Sequence, residues 1–437
     1  MKNINNTLVI ILLAALSFSA YGQDKRTLET KVADVLTQMP AHDLSHRDRL
    51  MNDMINLGED GLFQFTDMIV APGTGDDTKV RFALGDLSKY VGRNGKEEAR
   101  IMVSNVFIKA LENKSDKEIK AFFFYHLNFF AKDEAVPVAV AYLNDERLNA
   151  PAVALLHSIA GHKAVHALAD ALPSLDTKNK ITVVKAIGEM GQLCGLEAVT
   201  PLIDTNDSDL KHEVLYALAE IADLSSSKLI LNAAKEAAYK YENTQAMPAM
   251  LRYAERLGEK GELEVSEKIC ELLMKKCKEP EQLTYALNAL SILVDQQGYE
   301  VLELLLEGIK HPNKEYRGAV LLYAGQINDI GATRKWMALY PDVAPPIQAE
   351  LMQFFGQQGD LTVMPLVMKG MRSDAPCVRN ASVVALGKLK GSSATGTLLS
   401  YMEKASDVEV KTTQAVLNTL VGPAEIELVA DHFEGQN

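Results

Sequence analysis

Apolar residues recur along the second half of the chain at the three- and four-residue spacing of a helix buried on one side. The segments KITVVKAIGEMG, KHEVLYALAEIA, RGAVLLYAGQIN and RNASVVALGKLK share one template, in which Ala186, Ala217, Tyr323, Phe354 and Ala385 occupy the same slot. The interval is 31 residues from 186 to 217, from 323 to 354 and from 354 to 385. A fixed period of this length predicts stacked helical hairpins, because one hairpin cannot bury its apolar face alone and neighbouring copies must supply the core.

Around the slot the template is specific. A basic residue stands six positions earlier in most copies (Lys180, Lys211, Arg317, Arg379), and apolar pairs such as Val183 and Val184 follow it. An acidic or Asn residue opens several of the helices (Asp209, Asn313, Asp374, Asp407), where it complements free amides and the helix dipole. Two positions after the slot stands a small residue (Gly188, Ala219, Gly325, Gly356, Gly387), which permits close approach of the next hairpin. No run of alternating polarity suggests strands.

The segment DAPCVRNASVVALGKL comes nearest the full template and resembles the HEAT repeat family, especially the short bacterial HEAT-like type. The likeness extends over roughly residues 76–420, with weaker copies at VRFALGDLSKYVG, FFFYHLNFFAK, LLHSIAGHKAV, MLRYAERLGEKG, LNALSILVDQQG and QAVLNTLVG. It implies an all-α, right-handed α-α superhelix of the armadillo type, a HEAT-like solenoid of about eleven hairpins. It also implies a scaffold whose second helices line a concave binding face.

Ahead of this array, residues 1–22 read as a secretory signal: Lys2, an uncharged apolar run from Leu8 to Ala20, then small residues before Gln23. The run is shorter than the roughly 20 residues of a spanning helix. Residues 23–75 read as capping helices, and 76–437 as a solenoid continuous with the cap, with no domain boundary where the spacing lengthens between Ser225 and Leu283. The segment VAPGTGDDT (70–78) reads as a connector, and KEAAYKYENTQ (235–245) as part of a charged helix. The expected protein is exported, periplasmic or secreted, with no transmembrane segment in the mature chain.

A formal charge of −13 without a compensating basic cluster argues against nucleic acid and anionic lipid as partners. Four cysteines in 437 residues are too few for a disulfide scaffold. Cys270 and Cys277, two turns apart on one helix, are too distant to be bridged and read as small apolar packing groups.

Candidate chemistry is thin. His157, His162 and His166 fall within ten residues, and the last two share a helix face. No carboxylate or cysteine stands beside them at ligand spacing, although Asp170 is one further turn along, and they are the minor candidates for a metal. His42 and His46 repeat the spacing more weakly. His212-Glu213 resembles the His-Glu pair that deoxyhypusine hydroxylase, a HEAT-repeat enzyme, presents from several repeats to hold iron. The equivalent positions in the other repeats here carry no such pair. No phosphate loop, nucleophile elbow or Cys/His triad is present, and no cofactor is implied.

Two sets of residues could read a ligand. The position three after the slot gives Ser158, Glu189, Glu220, Arg256, Gln326, Gln357 and Lys388, a stripe along one edge of the inner face, acidic in the middle. The run AFFFYHLNFFAK, aligned with Tyr125 in the slot, leaves Phe124, Tyr125 and Phe130 as the exposed aromatics. Together they point to a non-enzymatic scaffold for a protein partner or an extended polymer such as a glycan; the alternatives are a carbohydrate-associated accessory protein acting beside sugar-active enzymes and a metal-dependent enzyme built on the same scaffold.

Overall fold

The computed structural model describes residues 26–327 and 329–434. Among them the chain is helical throughout, with short 3-10 turns and no strand. The expected signal segment lies outside the described residues. The chain divides into two compact units, Met1–Ile221 and Ala222–Asn437.

Unit 1 contains α1 (Leu28–Thr37), α2 (Leu44–Asn56), α3 (Gly58–Asp67), α4 (Thr78–Val91), α5 (Glu97–Asn113), α6 (Lys117–Leu127), α7 (Val136–Val140), α8 (Asn149–Ile159), α9 (His162–Ala171), α10 (Thr177–Met190), α11 (Leu196–Val199) and α12 (Ser208–Ile221). Helices α2, α4, α6, α8, α10 and α12 pack side by side in sequence order and form one layer. The intervening α1, α3 and α5, and further on α7, α9 and α11, pack against one another on the other side.

Unit 2 continues with α13 (Ser227–Glu236), α14 (Ala246–Glu259), α15 (Leu263–Lys276), α16 (Leu283–Gln297), α17 (Leu302–Gly308), α18 (Lys314–Ala324), α19 (Ile330–Leu339), α20 (Pro345–Gln358), α21 (Met364–Gly370), α22 (Pro376–Lys390), α23 (Thr395–Met402), α24 (Asp407–Leu420) and α25 (Ile426–Glu434). Its repeat layer runs α14, α16, α18, α20, α22, α24.

The template residues explain this stacking. Slot residues Ala186, Ala217, Phe354 and Ala385 are buried, and so are Val183, Val184, Val214, Leu215, Leu218, Val320 and Leu351. The glycine two after the slot reaches the next repeat: a Cβ on Gly188 would lie 2.6 Å from the Cα of Ala217, and one on Gly387 would lie 2.4 Å from a methyl of Val416.

In four of the repeats the polar residue six before the slot closes the hairpin. Arg317 donates to the carbonyls of His311 and Pro312, and Arg379 to those of Ser373 and Asp374, at 2.7–3.0 Å. In weaker copies Lys120 donates to Leu111 O at 2.9 Å and Asn149 to Leu143 O at 2.5 Å. Each ties the start of a layer helix to carbonyls left free at the end of the preceding helix or its turn. The two arginines also clamp the next repeat. Arg317 binds both carboxylate oxygens of Glu350 at 2.7 Å, and Arg379 pairs with Glu409.

Two local expectations meet different outcomes. The 70–78 connector is closed internally, with Asp77 accepting from Val70 N at 3.0 Å and from Arg81 Nε at 2.7 Å. The segment KEAAYKYENTQ is not a continuous helix. Helix α13 stops at Glu236, and Ala238 and Tyr239 take left-handed φ values of 52° and 57°. A Gln282 donor to Ala238 O at 3.2 Å holds this turn, a long-range contact that local periodicity does not register.

Candidate functional site

Aligning the layer helices by what they bury defines one continuous face in unit 1. In α10 the buried positions Val183, Val184, Ala186 and Ile187 surround the slot. The same set in α8 is Ala152, Val153, Leu155 and Leu156, which places Ser158 three after the slot as expected. In α6 the set is Phe123, Phe124, His126 and Leu127. His126, not Tyr125, therefore occupies the slot, and the register read from sequence is one residue early. In α4 the buried Ala83, Leu84 and Leu87 put Asp86 in the slot and Lys89 three beyond it.

This register corrects the aromatic candidates. Phe124 is fully buried and Phe130 nearly so, packed against Tyr142 and Phe107 respectively. Tyr125 is exposed, at 59 %. Phe129, absent from the sequence-based set, is exposed at 40 % and takes the position three after the slot. Five apolar or aromatic residues in succession blur the helical phase, so only packing fixes which ring turns outward.

The outward row of unit 1 thus runs Lys89, Phe129, Ser158, Glu189. Its rungs touch. Lys89 Nζ lies 5.9 Å from the Phe129 ring centre, Ser158 donates to Asn128 Oδ1 at 3.4 Å, and His157 Nε2 stands 3.6 Å from Glu189 Oε2. Glu220, the next expected rung, is buried instead: residues 217–221 of α12 are all enclosed, which takes it off the solvated edge. Two turns earlier in the same helix, burial pushes the half-buried Glu213 carboxyl upward, opposed by the nearby His212 and Lys185 and reinforced by Glu189.

The face is chemically graded. At the α4 and α6 end it carries Phe82, Tyr125, Phe129, Lys89 and Arg81, whose guanidinium sits 4.8 Å above the Phe122 ring. At the α10 and α12 end it carries Glu189, Lys185 and Glu213. Beneath the aromatic end lies His126, with Nδ1 buried and without a hydrogen-bond partner. Burial, reinforced by Lys89 and Arg81, lowers its pKa from 6.5 to about 4, so it is neutral near pH 7. In unit 2, Gln326, Gln357 and Lys388 are exposed, and Arg256 is half-buried and paired with Glu259.

The histidine candidates are dispersed. His162 and His166 are exposed on α9, where His162 Nδ1 is 3.7 Å from Cys194 Sγ, while His157 turns to Glu189. His42 and His46 stack on each other, and Asp43 caps α2 by accepting from His46 N at 2.8 Å. Among the described residues no three His, Cys, Asp or Glu side chains converge on a possible metal position. No helix there is long and apolar enough to cross a membrane.

The layers, the slot packing and the hairpin clasps are those of a HEAT-like helical-repeat protein, and that is the fold of this chain. It is similar in structure to Kap121p bound to Nup53p, with a TM-score of 0.52 and 13 % identity, covering 90 % of this chain and 49 % of that one. It is similar also to Kap95p in a structure with RanGDP, with a TM-score of 0.50 and 12 % identity, covering 93 % and 62 %. A Kap95 complex with Nup1 aligns at a TM-score of 0.48 and 11 % identity, covering 96 % and 65 %. The chain therefore spans about half to two-thirds of the length of these structures. No family model matches the sequence, and no curated protein matches it.

Proposed function

We propose that this protein is a non-enzymatic scaffold that holds a protein partner along the outward face of its repeat layer, and that it acts after export. The observation that carries the reading is the row Lys89, Phe129, Ser158, Glu189, whose successive rungs are linked directly or through the adjoining residues Asn128 and His157. Such a row presents a graded, extended surface suited to an elongated partner. Structures that share the fold are recorded with protein partners, Nup53p in one and RanGDP in another. The sequence of residues 1–22 supports export, and we propose that residues 23–75 cap the array.

Photo-crosslinking tests the binding face. A crosslinkable residue at Glu189 or Tyr125 should yield partner adducts, and one at the exposed Asp170 on α9 should yield few. Adducts arising from Asp170 alone would overturn the assignment of the face. N-terminal sequencing of protein from the cell envelope tests export, which requires a mature chain starting near Gln23.

A further inference from the structure

We infer that the α4 and α6 end of this face docks an extended acidic peptide segment that carries an aromatic residue. The inference rests on the scaffold reading and adds the chemistry of the partner. Phe82 on α4, Tyr125 on α6 and Phe129 in the turn after α6 are exposed at 49 %, 59 % and 40 %, more aromatic surface than a solvated helix pair requires. Tyr125 and Phe129 meet edge to face with ring centres 5.2 Å apart, so they form one platform.

The charge beside this platform is Lys89, with Asp86 one turn earlier on the same helix. Lys89 is exposed, and among the described residues no carboxylate lies within 4.0 Å of its ammonium. Of the other cations nearby, Arg81 is paired with Asp77 at 2.7 Å, Arg93 with Asp48 at 2.7 Å and Lys132 with Glu97 at 3.0 Å, while Lys96 sits 4.6 Å over the Tyr90 ring. An incoming carboxylate can therefore pair with Lys89, set against aromatic rings that partly exclude water and strengthen the attraction.

Beyond Phe129 the surface opens into a cleft of about 510 Å³ lined by Gly92, Arg93, Asn128, Phe129, Lys132 and Ser158 among others. Its shape follows from a close backbone approach: a Cβ on Gly92 would lie 2.7 Å from the carbonyl oxygen of Phe129. The cleft is wide enough for an aromatic side chain, with the Phe129 ring as one wall and polar groups at its rim. A segment whose acid meets Lys89 and whose ring enters beside Phe129 uses both features at once.

The test is fluorescence anisotropy on the full chain with two labelled peptides, one of alternating Glu and Phe and one with Lys in place of each Glu. The Glu-Phe peptide should bind with strong salt dependence and the Lys-Phe peptide should not. Lys89→Glu should weaken binding about tenfold or more, since it replaces an attraction by a repulsion. Tyr125→Ala with Phe129→Ala should weaken it similarly while the circular dichroism stays helical. Equal binding of both peptides, no binding of either, or indifference to Lys89→Glu in a folded variant would each overturn the inference. Crosslinks from Glu189 that persist in the Lys89→Glu variant would leave the scaffold reading standing without it.

Discussion

Gly356 on α20 and Ala385 on α22 meet so closely that a Cβ on the glycine would lie 2.8 Å from the alanine Cα. The same pairing of the residue two after one slot with the next slot occurs at Gly188 and Ala217. Backbone approach of this kind sets the spacing of the layer, and neither helix can yield without moving its neighbours.

Gly356→Ala should therefore destabilise unit 2 despite the higher helix propensity of alanine. Overpacking of a tight core costs about 1–3 kcal/mol, which exceeds the ~1 kcal/mol gained by replacing a helical glycine. Chemical denaturation of the wild type and the variant checks this, and an unchanged or raised midpoint would mean that the two helices separate freely.

Arg317 and Glu350 form a nearly buried bidentate pair that joins α18 to α20. Removing one partner leaves a poorly solvated charge, so Arg317→Leu should cost about 3–5 kcal/mol. The double variant Arg317→Leu with Glu350→Leu should recover part of that loss. The recovery stays incomplete, because Arg317 also serves the carbonyls of His311 and Pro312. A double-mutant cycle in urea measures the coupling.

Two groups give stability a defined dependence on pH. His126 has its folded pKa lowered from 6.5 to about 4, so the unfolded chain binds the extra proton first. Its contribution is complete above pH 6.5 and is lost as pH falls toward 4. Burial raises the Glu409 carboxyl, but the Ser406 hydroxyl and Arg379 guanidinium outweigh it and lower the pKa from 4.5 to about 2. That contribution is complete above pH 4.5 and is lost on approach to pH 2. Unfolding free energies of His126→Phe should show a shallower slope than the wild type between pH 6.5 and 4, and an identical slope would contradict the buried neutral imidazole.

The four cysteines should divide by reactivity. Burial pushes the Cys270 thiol up to about 12 and the Cys277 thiol up to about 11, while Cys377 is exposed and Cys194 half-exposed. An aromatic disulfide reagent at pH 8 should titrate two thiols in the native protein and four in denaturant. Rapid loss of all four without denaturant would show that the α15 packing is open.

Much of this was legible in the chain itself. A 31-residue period with apolar pairs, a basic residue six before the slot and a small one two after it specifies stacked helical hairpins, because burial and close approach are local requirements that those residue types answer. Cys270 and Cys277 were readable as packing groups for the same reason. The outward face was only partly legible. Ser158 and Glu189 fall where the period puts them, but in AFFFYHLNFFAK the apolar run carries no phase. Packing of Phe123 and Phe124 into the core turned Tyr125 and Phe129 outward and put His126 in the slot. Glu220 keeps the right spacing yet lies buried, since enclosure of the last turn of α12 depends on atoms far away in sequence. Periodicity records which residues need shelter from water, and the tertiary structure decides which of them receive it.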